Sequence, residues 1–479
     1  MDQHQSQKDR SRGGQRTLLI ITTLVGAIGF LMLGTRPASE GAPASDRPPA
    51  TAADGQPTQP ARGNIVRHHH GSHAPTASAE KVVAGKLRQF TKSRRTLARS
   101  MAKKAGVGVP DDVEQFFSAL EAGYWPDIEA QWTALAKRSG QYEHSTNSAE
   151  LNPVWSAVLD AYGVAEQVHE WPAQQLLDYG NAILGSLKPG MVYVGGNDNG
   201  RWIPELLNET NGGEPHVIVT QNAMADTRYI EYMNTLYGDR IATLNEEDSK
   251  HAFEAYTADA RKRLEHDQQF PEEPKQVKPG EQLKLTDDGR FEVGGQVAVM
   301  AINEKLLQGL MAKNPDLQFA LQESSPLQGT YADAVPLGPL MELGAKDSAA
   351  SFTPERAAQT VDYWKARTEQ ILSDPEATES PYALKSHAHD TVSAGNLLAA
   401  RGFIAEAEQA YRLAGQLWAD NPESMGGLAK ILTETGRQAE ARQLIETYVR
   451  QFPDRRSGFE ALLGDGGKAG APTPTVPKP

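Results

Sequence analysis

The chain of 479 residues contains no cysteine. That excludes disulfides, thiol catalysis, and zinc or iron–sulfur sites built on thiolates. It also removes the acylated cysteine that a bacterial lipoprotein needs. Positive charge is scarce over most of the length. Residues 1–105 hold 17 Lys and Arg against 6 Asp and Glu; taken from the totals of 48 and 61, this leaves 31 against 55 for the remainder. A folded part with an acidic excess of 24 repels polyphosphate, so nucleic-acid binding is not expected. Catalytic signatures are missing as well: there is no nucleophile elbow, no HExxH and no Ser-x-x-Lys set. Nothing in the sequence calls for a cofactor.

Long apolar runs are absent with one exception, Thr17–Thr35 (TLLIITTLVGAIGFLMLGT), 19 uncharged residues. That length approaches the roughly 20 residues needed to cross a hydrocarbon core. Lys8, Arg10, Arg12 and Arg16 precede it, which orients residues 1–16 to the cytoplasm. Two readings stand: an uncleaved transmembrane anchor and a signal peptide. Against the second, an h-region is usually shorter and no small-x-small site adjoins the run. Both place the bulk of the chain outside the cytoplasm, in the cell envelope.

Residues 36–79 are rich in Pro, Ala, Gly, Ser and Thr and poor in large apolar residues. Such a segment buries too little surface to offset its ordering entropy and reads as a disordered linker. His68, His69, His70 and His73 lie within it; a solvated linker is a simpler account of them than a metal site. From 81 to 104 a basic helix is expected, with Val83, Leu87, Phe90, Leu97 and Met101 on one apolar stripe. Packing on the acidic part of the chain and contact with anionic lipid headgroups both fit that pattern.

Residues 80–186 read as an all-α lead-in. Asp111–Arg138 splits at Gly123–Pro126 into a helix pair, and Trp155, Leu159, Tyr162, Trp171, Leu176 and Tyr179 recur at helical spacing as core.

Residues 187–345 alternate short apolar runs with helical patterns, which argues for an α/β domain with a mostly parallel, layered sheet. Strands are expected at 191–194, 216–220, 240–244, 317–321 and 340–343. A hairpin of 283–285 with 291–293 turns through Asp287-Asp288-Gly289. Ligands of such sheets gather beyond the carboxyl ends of the strands. Two polar turns belong there, and they supply the candidate ligand residues Asn197, Asp198, Asn199 and Arg201, then Gln221, Asn222 and Asp226. A carboxylate or amide there suits a sugar hydroxyl or a cation, and Arg201 at a helix start suits an anion. Helix capping and turn formation explain the same residues. Asp198 and Asp226 are the candidate acid–base pair. GGNDNG lacks the dinucleotide-binding spacing and no P-loop lysine follows.

PGMVYVGGNDNGRWIPELL, HVIVTQNAMADTRYIEYM, FALQES and LGPLMEL resemble the soluble domain that follows the membrane spans of bacterial protein O-mannosyltransferase-like membrane proteins. The likeness rests on Gly195/Asp198, Asn222 and Thr227-Arg228-Tyr229-Ile230. The multi-span part that carries glycosyl transfer in that family is absent. The resemblance therefore implies an extracytoplasmic, glycan-proximal module rather than a transferase.

Residues 354–463 are helical and repetitive. Gly402 and Gly436, Ala407 and Ala441, Leu398 and Leu432 each stand 34 residues apart, the period of the tetratricopeptide repeat, which the segment resembles. That resemblance implies protein binding, with Tyr411, Trp418 and Tyr448 as candidate contact residues and an envelope protein as partner. Residues 464–479 are Gly- and Pro-rich and read as a disordered tail. The expected function is a tethered extracytoplasmic interaction module. The alternative is a glycan- or nucleotide-sugar-handling protein with its site at the strand ends.

Overall fold

The structure is a computed structural model that describes residues 78–142, 145–196, 198–285, 291–324, 327–345 and 348–463. The expectations for the apolar run 17–35, the linker and its histidines, Asn197, the turn at 287–289 and the tail 464–479 lie outside the described residues. No helix among the described residues is long and apolar enough to cross a membrane.

Five helices lead in: α1 (Ala79–Lys104), α2 (Asp111–Ala122), α3 (Trp125–Ala136), α4 (Trp155–Glu170) and α5 (Ala173–Leu184). Pro126 falls in the first turn of α3, where its missing N–H costs no helical bond. On α1, Val83, Leu87, Phe90 and Met101 are all buried. That stripe packs on α4 and on α6 (Asp198–Thr210). This corrects the lipid-contact reading of 81–104. The face that would enter a headgroup layer is spent on the interior, and Arg95 and Arg99 pair with Glu114 of α2.

The central sheet has the order β2-β1-β5-β7-β6, formed by β1 (Val192–Gly195), β2 (Val217–Thr220), β5 (Phe319–Leu321), β6 (Val335–Leu337) and β7 (Leu340–Leu343). Strands β3 (Gln282–Leu285) and β4 (Phe291–Gly294) form the separate antiparallel hairpin expected from the sequence. Between the strands run α7 (Thr227–Tyr237), α8 (Glu246–Gln269) and α9 (Gln296–Lys313).

Two features of the sheet differ from expectation. It is mixed rather than mostly parallel: β1 pairs parallel with β2 and β5, whereas β7 runs antiparallel to both β5 and β6. Strand β6 contains Pro336, which lacks a ladder donor, and accordingly it sits at the sheet edge. Residues 240–244 form no strand. Ile241 and Leu244 bury as strand residues would, but the Ala242 backbone is paired by a side chain: Asn314 Oδ1 accepts its N–H at 2.9 Å and Nδ2 donates to its carbonyl at 2.9 Å.

The C-terminal part comprises α10 (Pro354–Ser373), α11 (Pro381–Ala400), α12 (Ile404–Leu417), α13 (Pro422–Glu434) and α14 (Gln438–Gln451). Gly402 and Gly436 end equivalent helices at φ 81° and 80°, a left-handed conformation that side chains resist. The period of 34 thus marks two copies of one turn. One continuous apolar core runs from Val83 through the sheet to Phe459, so lead-in, sheet and repeat helices share an interior.

Candidate functional site

The carboxyl ends of β1, β2 and β5 open on one side of the sheet, between the first turn of α6 and helix α11. Beyond β1 the chain runs Gly195-Gly196, then enters α6 at Asp198. Beyond β5 come Gln322, Glu323 and Ser324, all buried. A methyl group on Gly196 would stand 2.3 Å from the Glu323 carboxylate, and one on Gly200 would stand 1.6 Å from Gln322 Oε1. The glycines of GGNDNG therefore serve close packing: they let two β5-end side chains lie across the turn.

Helix α11 closes this side. Gln322 Nε2 donates to Asp390 Oδ1 at 2.8 Å and to the Tyr179 hydroxyl at 2.7 Å. The Tyr193 hydroxyl donates within 3.0 Å of Gln322 Oε1. Ser324 N–H donates to Ser393 Oγ, and Asn396 Nδ2 donates to Ser324 Oγ. Glu323 Oε1 lies 3.2 Å from His389 Nε2, while His389 Nδ1 lies 3.2 Å from Glu423 Oε2 in the first turn of α13. With a carboxylate on each nitrogen, His389 holds its proton well above the usual imidazole range despite its desolvation. One imidazolium thus ties the end of β5 to the repeat helices.

The electrostatics divide the carboxyl groups. Burial pushes Asp390 up to about 7, opposed by His389 and by the Gln322 hydrogen bond. Burial also pushes Asp198 up to about 6; the Arg201 charge opposes this, and the charges of Glu323 and Glu170 add to it. Asp390 is sealed at 1% exposure, whereas Asp198 is half-buried and its carboxylate carries no hydrogen bond among the described residues. Asp198 is the solvent-reachable acid of the site, with a proton affinity suited to exchange near neutrality. His387 points the other way: burial and the Arg367 charge lower it to about 3, leaving a neutral ring edge-on to Tyr179.

The remaining sequence-derived candidates have varied surroundings. Asn199 Nδ2 donates to Ser386 Oγ. Arg201 is buried on Asp160 and beside Glu205, facing the interior rather than an anion at the helix start. Gln221 is 1% exposed with Oε1 unpaired among the described residues, and its backbone N–H donates to the Gly195 carbonyl. The Asn222 carbonyl accepts from Asn303. Asp226 accepts from Arg228 N–H at 2.9 Å as the cap of α7 and pairs with the Arg228 side chain at 3.1 Å. Its carboxylate is committed, which leaves Asp198 without the expected acid–base companion.

On the repeat helices, Tyr411 and Tyr448 are core residues whose hydroxyls donate to Asn396 and Asp420. Trp418 is half-buried under Lys385, whose Nζ is 4.8 Å from the ring centroid. Sequence reasoning missed Glu323, His389 and Asp390. The available signals were Gln322-Glu323-Ser324 directly after an apolar run, and His387-Ala388-His389-Asp390, two histidines and an acid within one turn of a helix. Among the described residues no group of three or more His, Asp and Glu could hold a metal ion.

The family model of the tetratricopeptide repeat matches residues 398–465, which takes in the end of α11 and helices α12 to α14. No curated protein and no solved structure matches the chain. The likeness of the central region to the soluble domain of O-mannosyltransferase-like proteins therefore stands on its quoted motifs alone.

Proposed function

We propose that this chain is a tethered protein-interaction module of the cell envelope, whose repeat helices present the partner-binding surface. The observation that carries this reading is the tetratricopeptide-repeat match at 398–465, on helices that keep polar, solvent-facing sides. Repeats of this kind bind other proteins, and two copies alone bury little core. Here the pair borrows core from the sheet domain through α11, which makes the module a rigid platform. Support for the tether is the 19-residue apolar run behind four cationic residues.

Affinity capture from the native membrane tests the reading. The full chain is compared with a variant carrying Lys430→Glu, Arg442→Glu and Arg450→Glu, three exposed positions on α13 and α14. A stoichiometric partner held by the parent and lost by the equally stable variant supports it; the same partners on both count against it. An alkaline wash separately tests the tether. The full chain should stay with membranes, and a chain beginning at residue 78 should wash off.

A further inference from the structure

We infer that the strand-end row Gln221, Gly196 and Glu323, together with Asp198, receives a primary ammonium group. The register supplies the row. Gly195 pairs with Thr220 and Val194 with Leu321, so one step on from the first pair and two from the second, Gln221, Gly196 and Glu323 stand abreast on one face of the three chain segments. Gly196 contributes no side chain, and the Glu323 carboxylate lies over it. Gln221 stands beside Gly196 in that row, 1% exposed, with an amide oxygen that accepts from nothing among the described residues. A buried acceptor left unpaired is costly, and a ligand that donates to it removes the cost. Asp198 stands two residues beyond Gly196, half-buried, its carboxylate also without a hydrogen bond among the described residues.

Charge decides the kind of donor. Asp198 feels the carboxylates of Glu323 and Glu170. Of the nearby cations, Arg201 is consumed by Asp160 and Glu205, and His389 is divided between Glu323 and Glu423. The cluster is acceptor-rich and short of positive charge. A primary ammonium carries one positive charge and three N–H donors, one for each of Asp198, Glu323 and Gln221. A quaternary ammonium has the charge without the donors, and an alkali ion lacks directed bonds. A free amine and a lysine side chain of a peptide share the required chemistry.

Calorimetric titration of the full chain tests this at constant potassium chloride, with cadaverine, Nα-acetyl-lysine methylamide and choline as probes. One or both amines should bind one-to-one, and choline at least about tenfold more weakly. Asp198→Asn and Gln221→Leu should each weaken amine binding about tenfold. Binding to the parent should tighten from pH 5 to pH 7 as Asp198 loses its proton, a trend absent from D198N. Cadaverine alone binding identifies a free amine; the lysine derivative alone binding identifies a peptide side chain. No amine binding, equal binding of choline, or unchanged binding in both variants overturns the inference. Should D198N fail to fold, Q221L and the pH dependence of the parent decide.

Discussion

Arg94 Nε donates to Asp160 Oδ2 at 3.1 Å, and both side chains are withdrawn from solvent, at 1% and 0% exposure. The pair joins the first described helix to α4. Arg201 of α6 and the Tyr232 hydroxyl of α7 converge on the same carboxylate. Together these partners hold Asp160 ionised, below the usual carboxylate range, against its burial. The basic helix is thus part of the sheet domain's interior.

Removing one partner from such a network strands a buried charge. Arg94→Met should cost about 3–5 kcal/mol of unfolding free energy. Adding Asp160→Leu should destabilise further, because the buried Arg201 then loses its carboxylate partner. Denaturant unfolding of the two variants and the parent measures both effects; an R94M chain as stable as the parent would show the pair to be dispensable.

A contrast between two glycines tests the packing account of GGNDNG. Gly200→Ala places a methyl on the Gln322 amide, which Tyr179, Tyr193 and Asp390 hold in place, and should cost about 3 kcal/mol. Gly426→Ala meets open space on helix α13 and should stabilise by about 0.5–1 kcal/mol. Thermal unfolding of both separates close packing from a general intolerance of substitution.

The titrating groups predict a fall in stability on the alkaline side. Asp198 and Asp390 have folded values above the usual 3.8, so the folded chain keeps protons that the unfolded chain releases. Their contribution is full below 3.8 and is lost as pH rises through about 6 and about 7. His389, raised above 6.5, also contributes fully below that value and loses its contribution as pH rises through its higher folded value. Asp198→Asn should therefore match the parent below pH 4 and exceed it by about 1 kcal/mol at pH 8, allowing for partial exposure. Unfolding midpoints between pH 4 and 9 provide the comparison.

How far the sequence discloses this fold follows from the range of the interactions concerned. Helices are written locally: the stripe of α1, the break at Gly123–Pro126 and the repeated Gly402 and Gly436 all survive into the structure. The strand expected at 240–244 fails because its pairing partner is the side chain of Asn314, about seventy residues on, and no local pattern reports it. Strand β6 escapes notice because Pro336 reads as a breaker and only the sheet order makes it an edge. The turn before α6 is legible as a polar strand end, but the reason for its glycines lies in Gln322 and Glu323. His389 joins residues 323 and 423 in the fold alone. Tyr411 and Tyr448 carry the repeat pattern as core fillers, so an aromatic periodicity points to packing before it points to a partner.

Site-specific photo-crosslinking in the native cell tests the interaction role most directly. A photoreactive residue is placed at Lys430 or Glu446 on the repeat helices, and at Lys262 on α8 as a reference, all exposed positions. The account predicts a discrete protein adduct in the membrane fraction from the first two positions and none from the third. No adduct from the repeat positions, or the same adducts from all three, would contradict it.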